Sequence, residues 1–188
     1  LHPTSLPGPH GSGDFGPAAL HFVDWLVAGG QKLWQILPLG GIGSGNSPYM
    51  STSAFAGNML LIDLGELHGH GWLTTAELAP ETPFEAGRID FARVVPWRLQ
   101  RLELAAARFA ASASSEDRRH FEAYCASQRH WLDDFALFMT LGALHPGKTW
   151  SEWDAPLAAR DPAALRAAAA REAVRVHFWK FGQWCFQR

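Results

Sequence analysis

Leu33-Trp34-Gln35-Ile36-Leu37 is the run on which the reading of the fold turns. All but Gln35 are apolar, the pattern of a short strand buried on both faces. Just before it, Gly29-Gly30 closes a helix that Pro17 opens, since the missing N–H of a proline costs nothing in the first helical turn. Leu20, Val23, Leu26 and Val27 give that helix one apolar face. Earlier still, Leu1 to Leu6 starts abruptly with apolar residues, as though the front of another strand were missing, and Pro7 to Gly13 is loop by composition. Helix, short turn, buried strand is the rhythm of a parallel α/β fold.

After Leu37 comes a long loop, Gly40 to Asn58, rich in Gly, Ser, Asn and aromatic residues, and loops of this length in compact domains are commonly functional. Met59 to Leu64 is apolar again and reads as extended. Thr74 and Glu77 have capping-box spacing for a short helix. From Pro96 the chain turns helical. Trp97 to Ala111 is one helix, and Glu116 to Leu144 a second, with a break near Gly142. In the second, Phe121, Tyr124, Trp131, Phe135, Phe138 and Met139 recur at helical spacing as a core face. A loop with Trp150 and Trp153 follows, then Asp161 caps a long helix from Pro162 to about Phe186. Two or three strands do not cover the core of a parallel sheet, so the plan reads as unfinished.

Apolar residues at 47% and charged residues at 18% describe a globular protein rather than a disordered one. The net charge is -2, with no basic stripe to follow a phosphate backbone, which argues against a nucleic-acid partner. No stretch reaches the roughly 18 apolar residues of a spanning helix, so no membrane association is expected. Leu1-His2-Pro3-Thr4 lacks the basic end and long apolar core of a signal peptide. Cys125 and Cys185 read as reduced core thiols of a cytoplasmic protein, with a disulfide between them as the alternative. Nine tryptophans fit either a core or flat platforms for sugar rings, and most are expected in the core.

Motifs of other chemistries fall short. Gly40 to Ser47 nearly fits the phosphate-loop pattern, but Asn46 stands where the lysine belongs and Pro48 follows at once. His68 and His70 supply two ligands where zinc takes three or four, so no metal is expected. No G-x-S-x-G elbow is present. His2 and His10 have no partner in sequence. Sugar chemistry uses two carboxylates across the scissile bond. Asp63 and Asp90 close apolar segments and either face a cleft or act as caps; no convincing acid/nucleophile pair emerges.

Three stretches carry a resemblance: His2-Pro3-Thr4-Ser5-Leu6-Pro7-Gly8-Pro9, Leu33-Trp34-Gln35-Ile36-Leu37-Pro38-Leu39-Gly40, and Ser47-Pro48-Tyr49 running on to Ser53-Ala54-Phe55-Ala56-Gly57-Asn58. In order and spacing they resemble the N-terminal segment of the amylomaltases, or 4-alpha-glucanotransferases. Trp131 to Phe138 and the aromatic end Phe178 to Phe186 are similar to helices of the same family.

The resemblance implies an α/β fold, the N-terminal part of a (β/α)8 barrel with a helical insertion. A whole barrel takes roughly 250 residues or more. Leu1–Leu6 and Leu33–Leu37 would be its first two strands. Residues 1–66 would hold these strands and the glucan-facing loop, 67–160 the insertion, and 161–188 a helix returning to the barrel. The implied reaction is retaining transfer of alpha-1,4-glucan segments between maltooligosaccharides, without metal or organic cofactor. Its carboxylates are expected downstream of Arg188, so none is assigned here. Tyr49 and Ser47 match substrate-binding positions of the family, while Ser53, Phe55 and Asn58 shape the loop. Ser44 stands where many relatives carry the tyrosine of an accessory glucan groove, which puts that groove in question; Asn46 and Met50 replace a common aspartate and a common glutamine, which would alter contacts in the cleft. The alternative is a non-catalytic carbohydrate-binding module.

Overall fold

The computed structural model describes residues 1–188, which divide into two units: Leu1–Ala113 with Cys185–Arg188, and Ser114–Trp184. Helices dominate both. They are α1 (Pro17–Ala28), α2 (Leu64–Gly69), α3 (Thr75–Leu78), α4 (Phe91–Ser112), α5 (Ser115–Leu144), α6 (Ala155–Ala158), α7 (Pro162–Arg171) and α8 (Ala173–Gln187).

The expected strands are not present as paired strands. Pro3–Ser5 is a 3-10 turn, residues 33–37 carry no ladder, and the one β-bridge joins Gly40 to Gly57 in antiparallel fashion. A strand exists only through the N–H and C=O groups of a neighbour, and these segments exchange no backbone ladder. What links them is a side chain: the Trp34 indole donates to the Leu1 carbonyl at 2.8 Å. With no sheet to cover, the expected inward face of α1 is open. Leu20, Val23 and Val27 are exposed, and Leu33 is 90% exposed.

The core of the first unit lies elsewhere, where Met59 to Leu73 meets α4. Met59, Leu60, Leu61 and Ile62 are consecutive and all buried. They form a 3-10 turn over Met59–Leu61, not the extended segment expected, because Asn58 Oδ1 accepts from the Leu60 N–H and Asp63 Oδ1 then caps α2 at Gly65. The α4 helix starts at Phe91, before Pro96, because Asp90 caps it through the Ala92 N–H. Val94, Arg98, Leu102, Ala105 and Phe109 lie on its buried stripe, at helical spacing.

Arg98 is the unusual member, with a fully buried side chain. Its Nη2 donates to Asp14 Oδ2 at 3.1 Å and to the Ile62 carbonyl at 2.5 Å. The other Asp14 oxygen accepts from the Gly16 N–H. Burial pushes the Asp14 carboxyl up and the Arg98 guanidinium down, and each is partly restored by the other's charge. The capping box is present as expected. Glu77 takes the Thr74 N–H and holds Arg108 through both carboxylate oxygens, at 3.0 and 2.9 Å.

In the second unit the α5 helix runs unbroken through Gly142 to Leu144. Its aromatic stripe meets α8: Phe121 lies against His177 and Trp184, and Phe135 edge-on to Trp179. Lys180 pairs with Asp133 across the same face. Leu137, Leu141, Trp153 and Ala168 form a buried cluster. Asp161 caps α7 through the Ala164 N–H, as expected, but the helix ends at Arg171. Glu172, at φ -103° and ψ 24°, separates it from α8, with no proline or glycine to mark the break.

Arg98→Ala strands Asp14 in the core and is expected to lower the stability of the first unit by about 3–5 kcal/mol in urea unfolding; the double variant Asp14→Asn, Arg98→Met recovers most of it. A second expectation concerns acid. Hydrogen bonds from Arg108, then Thr74, pull the Glu77 carboxyl from the ordinary 4.5 down to about 2. A depressed carboxylate stabilises the fold fully above its unfolded pKa, and that stabilisation drains away as pH falls towards its folded one. Thermal melts of Glu77→Gln should therefore depend less on pH between 4.5 and about 2 than those of the unaltered chain.

Candidate functional site: a closed neutral loop with an outward tyrosine

The loop from Leu39 to Asn58 is pinched at its base. The Asn58 N–H donates to the Leu39 carbonyl at 2.8 Å, beside the Gly40–Gly57 bridge. Gly57 has no room for a side chain, since a Cβ there would fall 2.1 Å from the Phe186 ring. Inside the loop the Gly43 N–H donates to the Ser47 carbonyl at 3.0 Å, and Gly45 and Asn46 take φ of 68° and 58°. Glycine and asparagine adopt that left-handed region more readily than other residues. Gly43 is required sterically: a Cβ would meet the Met50 carbonyl oxygen at 2.0 Å.

Ser47 opens the next turn, Pro48–Met50, its Oγ accepting from the Tyr49 N–H at 3.3 Å. That bond uses a lone pair and leaves the hydroxyl proton available to donate. The turn aims Tyr49 away from the protein, with 70% of the residue exposed. Met50 and Phe55 are also outward, at 58% and 66%. Further along, Ser51 Oγ donates to the Ser53 carbonyl, and Ser53 Oγ accepts from the Phe55 and Ala56 N–H groups at 3.1 Å each. Ser53 thus serves the loop's own backbone, while the Asn58 side chain accepts from the Leu60 N–H of the next turn.

Residues 40–58 contain no Asp, Glu, Lys, Arg or His. A rigid, uncharged surface of hydroxyls and an exposed aromatic ring suits a neutral polyhydroxylated ligand. It offers nothing to neutralise a phosphate: Asn46, in the lysine position, spends its N–H on the Gly43 carbonyl.

The other candidates are accounted for locally. Asp63 and Asp90 are helix caps. His2 bonds Thr4. His68 Nε2 lies 3.1 Å from Thr75 Oγ1, and His70 stacks on Trp72 with Arg188 Nη2 2.7 Å from its Nε2. His10 stacks on Trp97 beside Arg98, and burial, then the Arg98 charge, lowers its pKa. Sequence reasoning had no view of the Asp14–Arg98 pair, because 84 positions separate its members.

A solved structure shares this fold over part of its length. An amylomaltase from Streptococcus agalactiae, solved in complex with acarbose, matches 100% of this chain and 38% of its own, with a TM-score of 0.92 at 33% identity. The 4-alpha-glucanotransferase of Thermus thermophilus is 43% identical over all of this chain, and that of Synechocystis sp. 40% identical over 97% of it. The family model described as 4-alpha-glucanotransferase matches residues 1–188, and the chain belongs to that family. It spans 37% and 36% of the length of these two relatives.

Tyr49→Ala removes an exposed side chain and should leave stability within about 0.5 kcal/mol in calorimetry. Gly57→Ala pushes into the Phe186 ring and is expected to cost about 1–3 kcal/mol.

Proposed function

We propose that this chain forms the glucan-binding loop region of a 4-alpha-glucanotransferase, an enzyme transferring alpha-1,4-glucan segments between maltooligosaccharides with retention of configuration. Membership of the family supports the activity. The observation that carries the site is Tyr49, held outward on a closed, uncharged loop. Its ring offers a face to the C–H side of a glucose unit, and its hydroxyl and that of Ser47 offer hydrogen bonds. Acarbose bound to the amylomaltase neighbour is in keeping with a sugar ligand.

Retaining transfer needs a carboxylate nucleophile and a carboxylic acid/base roughly 5–5.5 Å apart. The nucleophile holds the glycosyl group until an acceptor hydroxyl, in place of water, takes it. No carboxylate of residues 1–188 is assigned either role; in our reading both are carried downstream of Arg188. The same reading makes residues 1–66 the start of a (β/α)8 barrel, 67–160 an inserted subdomain and 161–188 a helix leading back. Further barrel units would give the exposed face of α1 and the unpaired Leu33–Leu37 segment their partners. The setting is cytoplasmic, and no helix here is long and apolar enough to cross a membrane.

Incubated with maltotriose, the 188-residue chain is expected to yield neither glucose nor longer oligomers; products of transfer would overturn the placement of the carboxylates. In an NMR titration with maltoheptaose, signals of Tyr49 and Ser47 should shift, with Tyr49→Ala weakening the interaction about tenfold, or about 1.4 kcal/mol. Equal affinity in that variant would remove Tyr49 from the site. Tight binding by the chain alone would favour the non-catalytic carbohydrate-binding module.

A further inference from the structure

Arg160 stands at φ 55°, in the left-handed region where a residue with a Cβ is strained. Its N–H closes the turn after α6 onto the Leu157 carbonyl. Glycine or asparagine is the usual occupant of such a position, so an arginine there points to a use for its side chain. That side chain reaches Asp134, Nη2 to Oδ2 at 2.7 Å, and both side chains are about two-thirds exposed. An exposed ion pair adds too little stability to account for the choice.

The pair borders a pocket of about 230 Å³ in the second unit, walled by Phe138, Leu141, Trp150 and Trp153. The two tryptophans are placed by a 3-10 turn, Trp150–Glu152, locked by the Thr149–Glu152 capping box. In that geometry residues i and i+3 eclipse, so the spacing of Trp150 and Trp153 sets both rings towards the same side. Trp153 is fixed between Phe138, at 5.5 Å, and His145, stacked at 5.6 Å. Its indole N–H is buried without a hydrogen-bond partner. Trp150, by contrast, is 56% exposed and stands free at the rim.

The pocket is mostly apolar, its aromatic wall continued by Leu137, Leu157 and Leu165, with the carboxylate and guanidinium of the Asp134–Arg160 pair at its edge; that amphipathic arrangement selects among ligands. A purely apolar molecule leaves the charged pair unused. A phosphate would bring its charge against Asp134 as well as Arg160. A pyranose ring fits both halves: its C–H face lies on an indole while neighbouring hydroxyls donate to the carboxylate and accept from the guanidinium. We propose that this pocket is a second carbohydrate site, taking a terminal glucopyranose of an alpha-glucan. The choice of alpha-glucan rests on the function proposed above; the pocket itself shares no residue with the 40–58 loop.

The test is an NMR titration of the 188-residue chain with maltotriose, following tryptophan indole N–H signals together with the backbone amide signals of Tyr49 and Ser47. Those of Trp150 and Trp153 should shift saturably, and equally so in Tyr49→Ala. Trp150→Ala should weaken the Trp153 response at least tenfold. Arg160→Gly should do the same while keeping the fold, because glycine is favoured at that φ. Indole signals that stay put in the unaltered chain, or that move alike in Arg160→Gly, would overturn the proposal. Equal shifts with cellobiose would overturn the assignment to alpha-glucan. Shifts confined to Tyr49 and Ser47 would sink this site and spare the loop, and shifts confined to Trp150 and Trp153 the reverse.

Discussion

The first unit is organised around a charge that has no water to turn to. Arg98 projects from α4 into the core, and its guanidinium draws in a carboxylate from the N-terminal segment and a carbonyl from the turn before α2. Two of its nitrogens, Nε and Nη1, have no partner in the chain. A buried ion pair is a poor source of net stability, since desolvation offsets much of the attraction. What it does is fix geometry: three segments far apart in sequence meet at one point, with directional bonds that an apolar contact would not impose.

The loop from Leu39 to Asn58 is held in a different way. Its shape comes from hydrogen bonds between near neighbours and from two glycines with no room for a side chain, Gly43 and Gly57. A loop already held in one conformation would lose less free energy to ordering on binding a ligand. The absence of charged side chains keeps its exposed ring and hydroxyls suited to neutral sugar. In the second unit the aromatic residues divide their labour: Trp153 and Trp184 fill the interior, while Trp150 remains at the surface.

Local chemistry was legible in the residues. The caps at Thr74 and Asp161 and the long helices of α4 and α5 rest on partners within a few positions. So do the caps at Asp63 and Asp90, which the residues left open between cap and cleft, and the Ser47-Pro48-Tyr49 turn, which they did not announce. Errors came where a segment's state depends on something distant. Leu33–Leu37 has the composition of a strand, yet strandedness belongs to a pair, and this segment has no ladder partner here. Met59–Ile62 is apolar because it is buried whole, and burial on all sides leaves no periodicity to separate a tight turn from a strand.

By itself, then, the sequence determined which residues cap, which turn, and which family motif presents a tyrosine to solvent, because those outcomes are settled by steric and hydrogen-bonding preferences over three or four residues. Only the tertiary structure decided that Arg98 would lie buried against Asp14, that Gly57 would back onto Phe186, and that Trp150 and Arg160 would border one pocket. Contacts across tens of residues are made when many weak preferences are satisfied together, and no local pattern encodes them.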